Sequence, residues 1–509
     1  MPDPAGLSEA TAGSAFLVLS IVLPVAGALL SLLFGGRHAE RIALILLPIG
    51  FLVASAIFLG VSWSGQSLTY IVGGWAPPLG IVMRADGLSA TMMMMTALVI
   101  CAIGIYARID FRTPAGTSEA RAPFAFWILL LAIWSAMNLL FVASDLFTLY
   151  VALELLTFAA VPLVSLDGRA ETLRAALRYL IFAILGSVFY LAGVALLYGA
   201  YGTLDIPMLS ERVNIDPATI AALALMTAGL LAKTALVPLH LWLPPAHAGA
   251  PAAASAVLSA LVVKGSFFLL VRLWFDVMPG IPGAAGTQIL GALGAAAILL
   301  GNVLALRQRR LKLLVAYSTV AQIGYLFLMF PLAFNSTSSA LQSGSALTGG
   351  ILQAISHGTA KSAMFMSAGL MSAAVGHDRI AGLTGVGRLL PMTVAAFALG
   401  GVSLIGLPPS GGFLAKWLLI EAAVVAGQWW WVVTMLAGGL LTSGYMFLVL
   451  VRTMTPAREP LTLEVTIPRH QQAAALALAL CSLLLGLAAF SSFDAVQIGR
   501  PAAALIGLR

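Results

Sequence analysis

Long apolar segments separated by short polar ones recur along the whole chain. An α-helix needs about 20 apolar residues to cross the hydrocarbon core of a bilayer. Fourteen segments meet this requirement: residues 14–35, 41–62, 88–106, 122–143, 145–166, 174–200, 217–243, 253–277, 285–306, 311–333, 349–375, 391–426, 429–453 and 470–490. The pattern predicts an all-α polytopic membrane protein with about 14 transmembrane helices, which we number as spans 1 to 14 in chain order.

The segment between spans 2 and 3 departs from this pattern. Residues 63–87 place β-branched side chains around Gly and Pro, a composition typical of short strands joined by turns. We therefore predict a small extracytoplasmic hairpin at this point of the chain.

The composition agrees with a membrane protein, because 61% of the 509 residues are hydrophobic and only 9% are charged. Soluble chains carry about 25% charged residues. The two cysteines, Cys101 and Cys481, lie in apolar segments, and no motif for a phosphate-binding loop or a paired-histidine metal site occurs. The chain is therefore expected to hold no cofactor and no metal. The net charge of +7 comes without a basic run with interleaved aromatic residues, so no nucleic-acid partner is expected.

The loop cations predict how the chain is oriented. Cytoplasmic loops of membrane proteins carry an excess of Lys and Arg. The loops after odd-numbered spans, with the adjoining helix ends, hold 17 basic residues: Arg37, Arg41, Arg108, Arg112, Arg121, Arg169, Arg174, Arg178, Arg307, Arg309, Arg310, Lys312, Arg379, Arg388, Arg452, Arg458 and Arg469. The opposite side holds five: Arg84, Arg212, Arg272, Arg500 and Arg509. We expect a bacterial-type inner membrane protein with both termini outside the cytoplasm.

The remaining four basic residues are lysines within spans: Lys233, Lys264, Lys361 and Lys416. Each costs about 2.5–3.5 kcal/mol at a helix centre, so such residues should face the interior of the bundle and have partners. Lysine releases its proton when burial lowers its pKa, whereas arginine does not. Placing lysine in the membrane and arginine in the loops indicates a protein that moves protons.

Glu154 in span 5 is the candidate carboxylate partner, predicted to pair with Lys233. The alternative interpretation of this pair is a structural ion pair that fixes helix packing. His357 lies four residues before Lys361, so one helix face presents both side chains. Histidine titrates near neutral pH, so His357 suits a proton relay; the alternative is a neutral histidine hydrogen-bonded in the core. Tyr317 in span 10 is a candidate for lining a hydrated path or for helix packing.

Spans 7 and 12 contain prolines that a regular helix cannot accommodate. Lys233 precedes a break at Pro238 that also contains His240, and Lys416 follows a break at Pro408. Broken helices in corresponding positions of two halves indicate a transport site. We therefore predict two inverted five-helix repeats, at residues 122–280 and 281–455, preceded by spans 1–3 in residues 1–121 and followed by span 14 and a tail in residues 456–509. His240 could serve the relay or the gating of the break, and His247 is expected at the membrane interface.

Four stretches resemble the antiporter-like proton-translocating subunits of complex I, membrane-bound hydrogenases and Mrp-type cation/proton antiporters: KTALVPLHLWLPPAHAGAPAAASAVLSALVVKG, LLVAYSTVAQIGYL, SHGTAKSAMFMSAG and LPPSGGFLAKW. The resemblance extends over about residues 70–455 and implies 14 helices with a horizontal row of buried charges. The length, and a lysine in span 8, look most like the D-type antiporter subunit of Mrp complexes or the hydrogenase branch.

The resemblance also implies roles for individual residues. Glu154 and Lys233 match the family's glutamate–lysine pair, and Lys264 its central relay residue. His357 and Lys361 fall where the family keeps a histidine or lysine, and Lys416 matches the residue that hands the proton to one side.

The leading hypothesis is a proton-translocating subunit of a multisubunit complex. Its expected partners are homologous antiporter-like and small membrane subunits, the lipid bilayer and protons, with Na⁺ as a candidate coupling ion. It could belong to a proton-pumping NADH:quinone oxidoreductase or hydrogenase, to an Mrp antiporter, or to an inorganic-carbon uptake system. The alternative is a self-contained secondary transporter of an anionic solute, in which the lysines would converge on one pocket. A purely structural subunit would leave the four lysines without a purpose.

Overall fold

The computed structural model describes residues 11, 13–114, 116–117, 119–278, 283–334, 344–457, 463–487 and 495–500. All structural statements below concern these residues. Two arginines that enter the orientation prediction, Arg458 and Arg509, lie outside the described residues.

The first six spans are uninterrupted helices: α1 (Ala15–Phe34), α2 (His38–Ser64), α3 (Gly87–Asp110), α4 (Arg121–Val142), α5 (Leu146–Val164) and α6 (Ala170–Tyr201). Polar side chains set where several of them begin. Asp86 accepts a hydrogen bond from the backbone N–H of Ser89 at 2.9 Å and caps α3, and Asp145 caps α5 in the same way through Thr148 at 2.7 Å. Gly202, with φ of 66°, ends α6 in the left-handed conformation that glycine tolerates.

A hairpin is present between spans 2 and 3, and its extracytoplasmic position stays a prediction. Strands β1 (Leu68–Ile71) and β2 (Val82–Ala85) pair antiparallel, with Leu68 opposite Ala85 and Ile71 opposite Val82. The hairpin leads directly into α3, so it lies at the end of the bundle where span 3 begins.

Spans 7 and 8 are irregular. A short helix, α7 (Ile206–Arg212), precedes span 7, which comprises α8 (Pro217–Thr234), a 3₁₀ turn (Leu239–Trp242) and α9 (Leu243–Gly249). Span 8 comprises α10 (Ala252–Val257), a π-helical segment (Leu258–Val262), α11 (Val263–Val271) and a second π-helical segment (Arg272–Val277). The predicted break in span 7 is confirmed, whereas the two π-helical segments of span 8 left no signal in the sequence.

The remaining helices follow span 8 in chain order. They are α12 (Ala284–Leu306), α13 (Leu311–Phe327), α14 (Met329–Ala333), α15 (Gly344–Val375), α16 (Val386–Leu389), α17 (Pro391–Ile405), α18 (Gly411–Val425), α19 (Trp429–Met454) and α20 (Arg469–Leu484). Twelve helical segments of the described chain are long and apolar enough to cross a membrane. Predicted span 11 corresponds to α15, and predicted span 12 to α17 followed by α18; neither is among the twelve, so the count of fourteen stays a prediction. The division into two inverted repeats stays a prediction.

Span 8 lies at the centre of the bundle. Its most apolar window is wholly buried by protein, whereas α1 and α2 at the periphery leave most of their surface for lipid. α15 is also buried over almost its whole length, and span 8 packs against it. The polar side chains that α15 carries therefore lie inside the protein rather than in the bilayer.

Candidate functional site

The predicted pair in spans 5 and 7 is present. The ammonium nitrogen Nζ of Lys233 lies 3.1 Å from Oε1 of Glu154 and donates a second hydrogen bond to Thr157 at 3.0 Å. The hydroxyl of Ser187 on α6 also donates to Glu154. Lys233 lies in the last turn of α8, where the negative end of the helix dipole favours a cation. The Glu154 side chain is 19% exposed, so this pair lies at the edge of the described bundle.

Span 8 and α15 bring Lys264 and His357 into direct contact. Nζ of Lys264 lies 2.6 Å from Nδ1 of His357 and 2.5 Å from the backbone oxygen of Ser259. Ser259 belongs to the first π-helical segment, a local structure that is common at functional sites. When Lys264 is protonated it donates to both atoms, so Nδ1 of His357 is an acceptor and the ring proton is on Nε2. Both side chains are fully buried, and Nε2 has no partner among the described residues.

Lys361 lies one turn beyond His357 on α15 but contacts a different helix. Its ammonium group donates to the backbone oxygen of Val315 at 2.9 Å and to the hydroxyl of Ser318, both on α13. The side chain is fully buried. The shared helix face therefore directs two titratable groups toward two neighbouring spans.

Lys416 uses the break in span 12. The last residues of α17 have no following helical turn, so their carbonyl groups are free to accept. Lys416 donates to the oxygens of Leu404 at 2.6 Å and Ile405 at 3.0 Å, and its ammonium group lies 4.2 Å from the centre of the Tyr325 ring. The carbonyl end of a half-helix and an aromatic face both stabilise a cation.

Neutral polar side chains form hydrogen bonds between the spans that carry these charged sites. Thr234, next to Lys233, donates to Ser266 of span 8 at 2.9 Å, two residues beyond Lys264. On the other side, Gln353 of α15 donates to Gln322 at 2.9 Å. Gln322 in turn donates at 3.0 Å to the oxygen of Leu404 that also receives Lys416. Gln353 lies one turn before His357 and was not singled out from the sequence, because an isolated glutamine in a span is equally compatible with helix packing.

Four further sequence candidates take up places outside this row. Pro238 and Pro408 lie at the two breaks, as predicted. His240 is buried in the 3₁₀ turn of span 7, and Nδ1 of its ring has no partner among the described residues. Tyr317 is only half-buried, whereas its neighbour Ser318 receives Lys361. A relay or gating role for these four residues stays a prediction.

His247 is enclosed by protein, and its position at the membrane interface stays a prediction. Its ring is fully buried, stacks on Phe365 at 4.7 Å between centroids, and lies near enough to Lys264 and Lys361 to interact electrostatically with both. The apolar pattern ends span 7 at residue 243, whereas a separate short helix, α9 (Leu243–Gly249), follows the 3₁₀ turn and carries His247.

Two arginines counted among the cations of the extracytoplasmic side also lie inside the protein. Arg272 lies in the second π-helical segment of span 8 with its side chain largely enclosed, and the side chain of Arg500 is fully enclosed. Both make ion pairs with Asp276. The apolar pattern does not predict that these two side chains are enclosed, because Arg272 lies near the end of span 8 and Arg500 lies beyond span 14.

The four lysines of the row contact different sets of partners, on spans 5, 8, 10, 11 and 12. Five cavities of the described part of the chain, the largest of them about 670 Å³, have none of the four lysines in their linings. None of these five is the single substrate pocket lined by all four lysines that the solute-transporter alternative requires.

Comparison with known proteins identifies the family. Residues 143–442, more than half of the chain, match the model of the NADH:quinone oxidoreductase/Mrp antiporter transmembrane family. The chain belongs to this family. Its members include the N-type subunit of NADH-quinone oxidoreductase from Desulforudis audaxviator, 34% identical over 79% of this chain and 80% of that protein. The D-type subunit of a Na⁺/H⁺ antiporter from Alkalihalophilus pseudofirmus is 28% identical over 86% of both chains.

The fold of this family member agrees with that of solved antiporter complexes. One chain in the structure of the Mrp complex from Dietzia sp. DQ12-45-1b superposes with a TM-score of 0.85, at 26% identity and over 98% of both chains. The predicted resemblance and the prediction of a multi-pass, antiporter-like membrane subunit are thus confirmed.

Proposed function

We propose that this family member moves protons along the row of buried groups Glu154, Lys233, Lys264, His357, Lys361 and Lys416. The observation that carries the proposal is the contact between Lys264 and His357. A lysine and a histidine within 2.6 Å in a fully buried place cannot both be charged at low cost, so a proton on one disfavours a proton on the other. Such a pair is suited to pass a proton rather than to hold it.

Hydrogen-bonded neighbours give the row its continuity. The Thr234–Ser266 contact joins the Lys233 end to span 8, and the Gln353–Gln322 contact joins α15 to the Lys416 end. Waters between these groups would complete the path. We propose that the Glu154–Lys233 pair sets the proton affinity at its end of the row: at 4 Å and an effective dielectric of about 20, the attraction amounts to about 4 kcal/mol.

The proposed setting is a multisubunit complex in a bacterial cytoplasmic membrane, with both termini outside. The relatives are named as subunits of a quinone oxidoreductase and of a Na⁺/H⁺ antiporter, which supports partners that are themselves antiporter-like and small membrane subunits. The excess of cations in the odd-numbered loops supports the orientation. Labelling of single cysteines in the loops of intact cells would test it.

Reconstitution of the whole complex with its gene neighbours tests the proposal. Proton flux would be followed with a pH-sensitive dye, driven either by a Na⁺ gradient or by a quinone-reducing substrate, and the active driving force identifies the energy source. Lys264→Ala should abolish driven flux in the assembled complex. Undiminished flux in that variant would refute the relay.

A further inference from the structure

Four charged side chains form a second buried cluster, remote from the row along span 8. Asp86, at the start of α3, receives both terminal nitrogens of Arg272, at 2.5 and 2.7 Å. Arg272 also donates to Asp276 at 2.7 Å, and Arg500 donates to Asp276 at 3.0 Å. We call Asp86, Arg272, Asp276 and Arg500 the outer cluster, because orientation by the loop cations places it at the extracytoplasmic end.

The outer cluster borders space for water. A cavity of about 30 Å³ lined by Asp86, Arg272 and Asp276 shares Arg84 and Ser144 with a second cavity of about 360 Å³ beside the hairpin. A cavity needs about 10–15 Å³ of such volume to hold one water molecule.

Arg500 independently indicates water at the cluster. Two nitrogens of its fully buried side chain, Nε and Nη1, have no hydrogen-bond partner among the described residues. Buried arginine nitrogens are almost always paired with protein or with water, so water is the expected acceptor at these two atoms.

One aromatic ring lies between the outer cluster and the row. Lys264, Phe268 and Arg272 follow one another at intervals of four residues along span 8, so they lie on neighbouring turns of one side of the helix. The guanidinium of Arg272 lies 4.9 Å from the centre of the Phe268 ring, and that ring packs edge-on against Phe141 at 5.0 Å. The side chain of Phe268 is buried.

We propose that the outer cluster is a port for protons at the extracytoplasmic end, and that Phe268 is the hydrophobic gate between this port and Lys264. Eight residues of helix separate Lys264 from Arg272, about 12 Å, a distance that a short file of water molecules can bridge once the ring moves aside. Apolar constrictions close water-filled paths by excluding water. Within the outer cluster the two arginines balance the two aspartates, and Arg84 lines the adjoining cavities. This proposal rests on the proton relay proposed above.

The second π-helical segment of span 8 fits this function. The first such segment supplies the carbonyl group that receives Lys264, and the second carries both Arg272 and Asp276. Each irregular part of the central helix therefore coincides with a charged site, and the regular helix α11 between them carries Phe268.

Passive proton flux tests the gate. The whole complex would be reconstituted in vesicles containing a pH-sensitive dye, and flux would be recorded after an acid pulse without a driving substrate. Phe268→Ala should raise passive flux about tenfold, because the apolar barrier is removed. Adding Lys264→Ala to that variant should return the flux to the wild-type level, since the leak would run through the row.

Phe267→Ala is the matched control. Phe267 is the adjacent aromatic residue, equally buried, and packs edge-on against Phe327 on another side of the helix. Phe267→Ala removes the same side-chain volume as Phe268→Ala but should not raise passive proton flux. If Phe268→Ala fails to assemble, Phe268→Leu decides the question, with a smaller leak expected. Equal flux in the Phe268 and Phe267 variants would overturn the gate. If the gate is refuted in this way, loss of driven transport in Lys264→Ala alone would still support the relay. The two proposals can therefore fail separately.

Discussion

Lys264 donates hydrogen bonds to His357, which is 93 residues away along the chain, and to the oxygen of Ser259 on its own helix. The lysine therefore has one fixed acceptor and one that can itself carry a proton. The backbone oxygen holds the ammonium group in place, and the imidazole nitrogen offers the next position for the proton.

Replacement of His357 by Phe should stop driven proton flux without preventing assembly of the complex. The ring keeps its apolar contacts, but Lys264 loses the acceptor at 2.6 Å. We expect a loss of at least about tenfold in flux, measured with a pH-sensitive dye in vesicles. The control is His377→Phe, because His377 is exposed in a loop. Normal flux in both variants would show that His357 is a packing residue.

Glu154→Gln should impair transport because the carboxylate stabilises the charged form of Lys233. The amide keeps the volume and can still accept from Ser187, so only the charge is removed. Removing one partner of a buried ion pair costs about 3–5 kcal/mol, and the partial exposure of Glu154 reduces that figure.

A double-mutant cycle separates the relay from a structural role for this pair. Glu154→Gln, Lys233→Met and the double variant would be compared in thermal unfolding of the purified complex and in proton flux. The relay requires both single variants to lose flux, and the double variant to remain inactive even where its stability recovers. Recovery of both flux and stability in the double variant would show that the ion pair serves helix packing. Glu171→Gln, at an exposed position on α6, is the control.

The spans and the main charged residues could be predicted because each depends on local properties of the chain. About 20 apolar residues define a span wherever they occur, and Glu154 was the acid best placed in a span to pair with Lys233. The contact between Lys264 and His357 could not be derived from spacing, since it depends on how two spans pack. The burial of His247 could not be derived from the apolar pattern, because it depends on a separate short helix, α9, whose first turn holds the prolines. The partners of Arg272 could not be predicted, because Asp86 lies 186 residues away along the chain.

Gln322→Leu should slow proton transfer to Lys416. Gln322 and Lys416 donate to the same oxygen of Leu404, and Gln353 reaches that oxygen only through Gln322. Leucine fills a similar volume but breaks this connection. We expect a partial loss of driven flux, smaller than that of Lys264→Ala, since waters can replace a neutral link. Gln308→Leu is the control, because Gln308 bonds only within its own helix end. Equal flux in the two variants would exclude Gln322 from the path.

The position of Lys233 depends on a close crossing of helices α6 and α8 at two glycines. A Cβ atom on Gly229 would lie 2.3 Å from the backbone oxygen of Gly186, a contact that only movement of a helix can relieve. Gly229→Ala should therefore destabilise the protein by about 1–3 kcal/mol, measured by thermal unfolding of the purified complex. Since Lys233 lies one turn further along α8, the same displacement should lengthen its contact with Glu154 and reduce driven flux.

Gly199→Ala on α6 is the matched control, since a Cβ atom there meets nothing within 4 Å. The two effects should appear together in Gly229→Ala and be absent from Gly199→Ala. Lowered stability with normal flux would show that the ion pair tolerates movement of α8, and that the crossing serves stability alone.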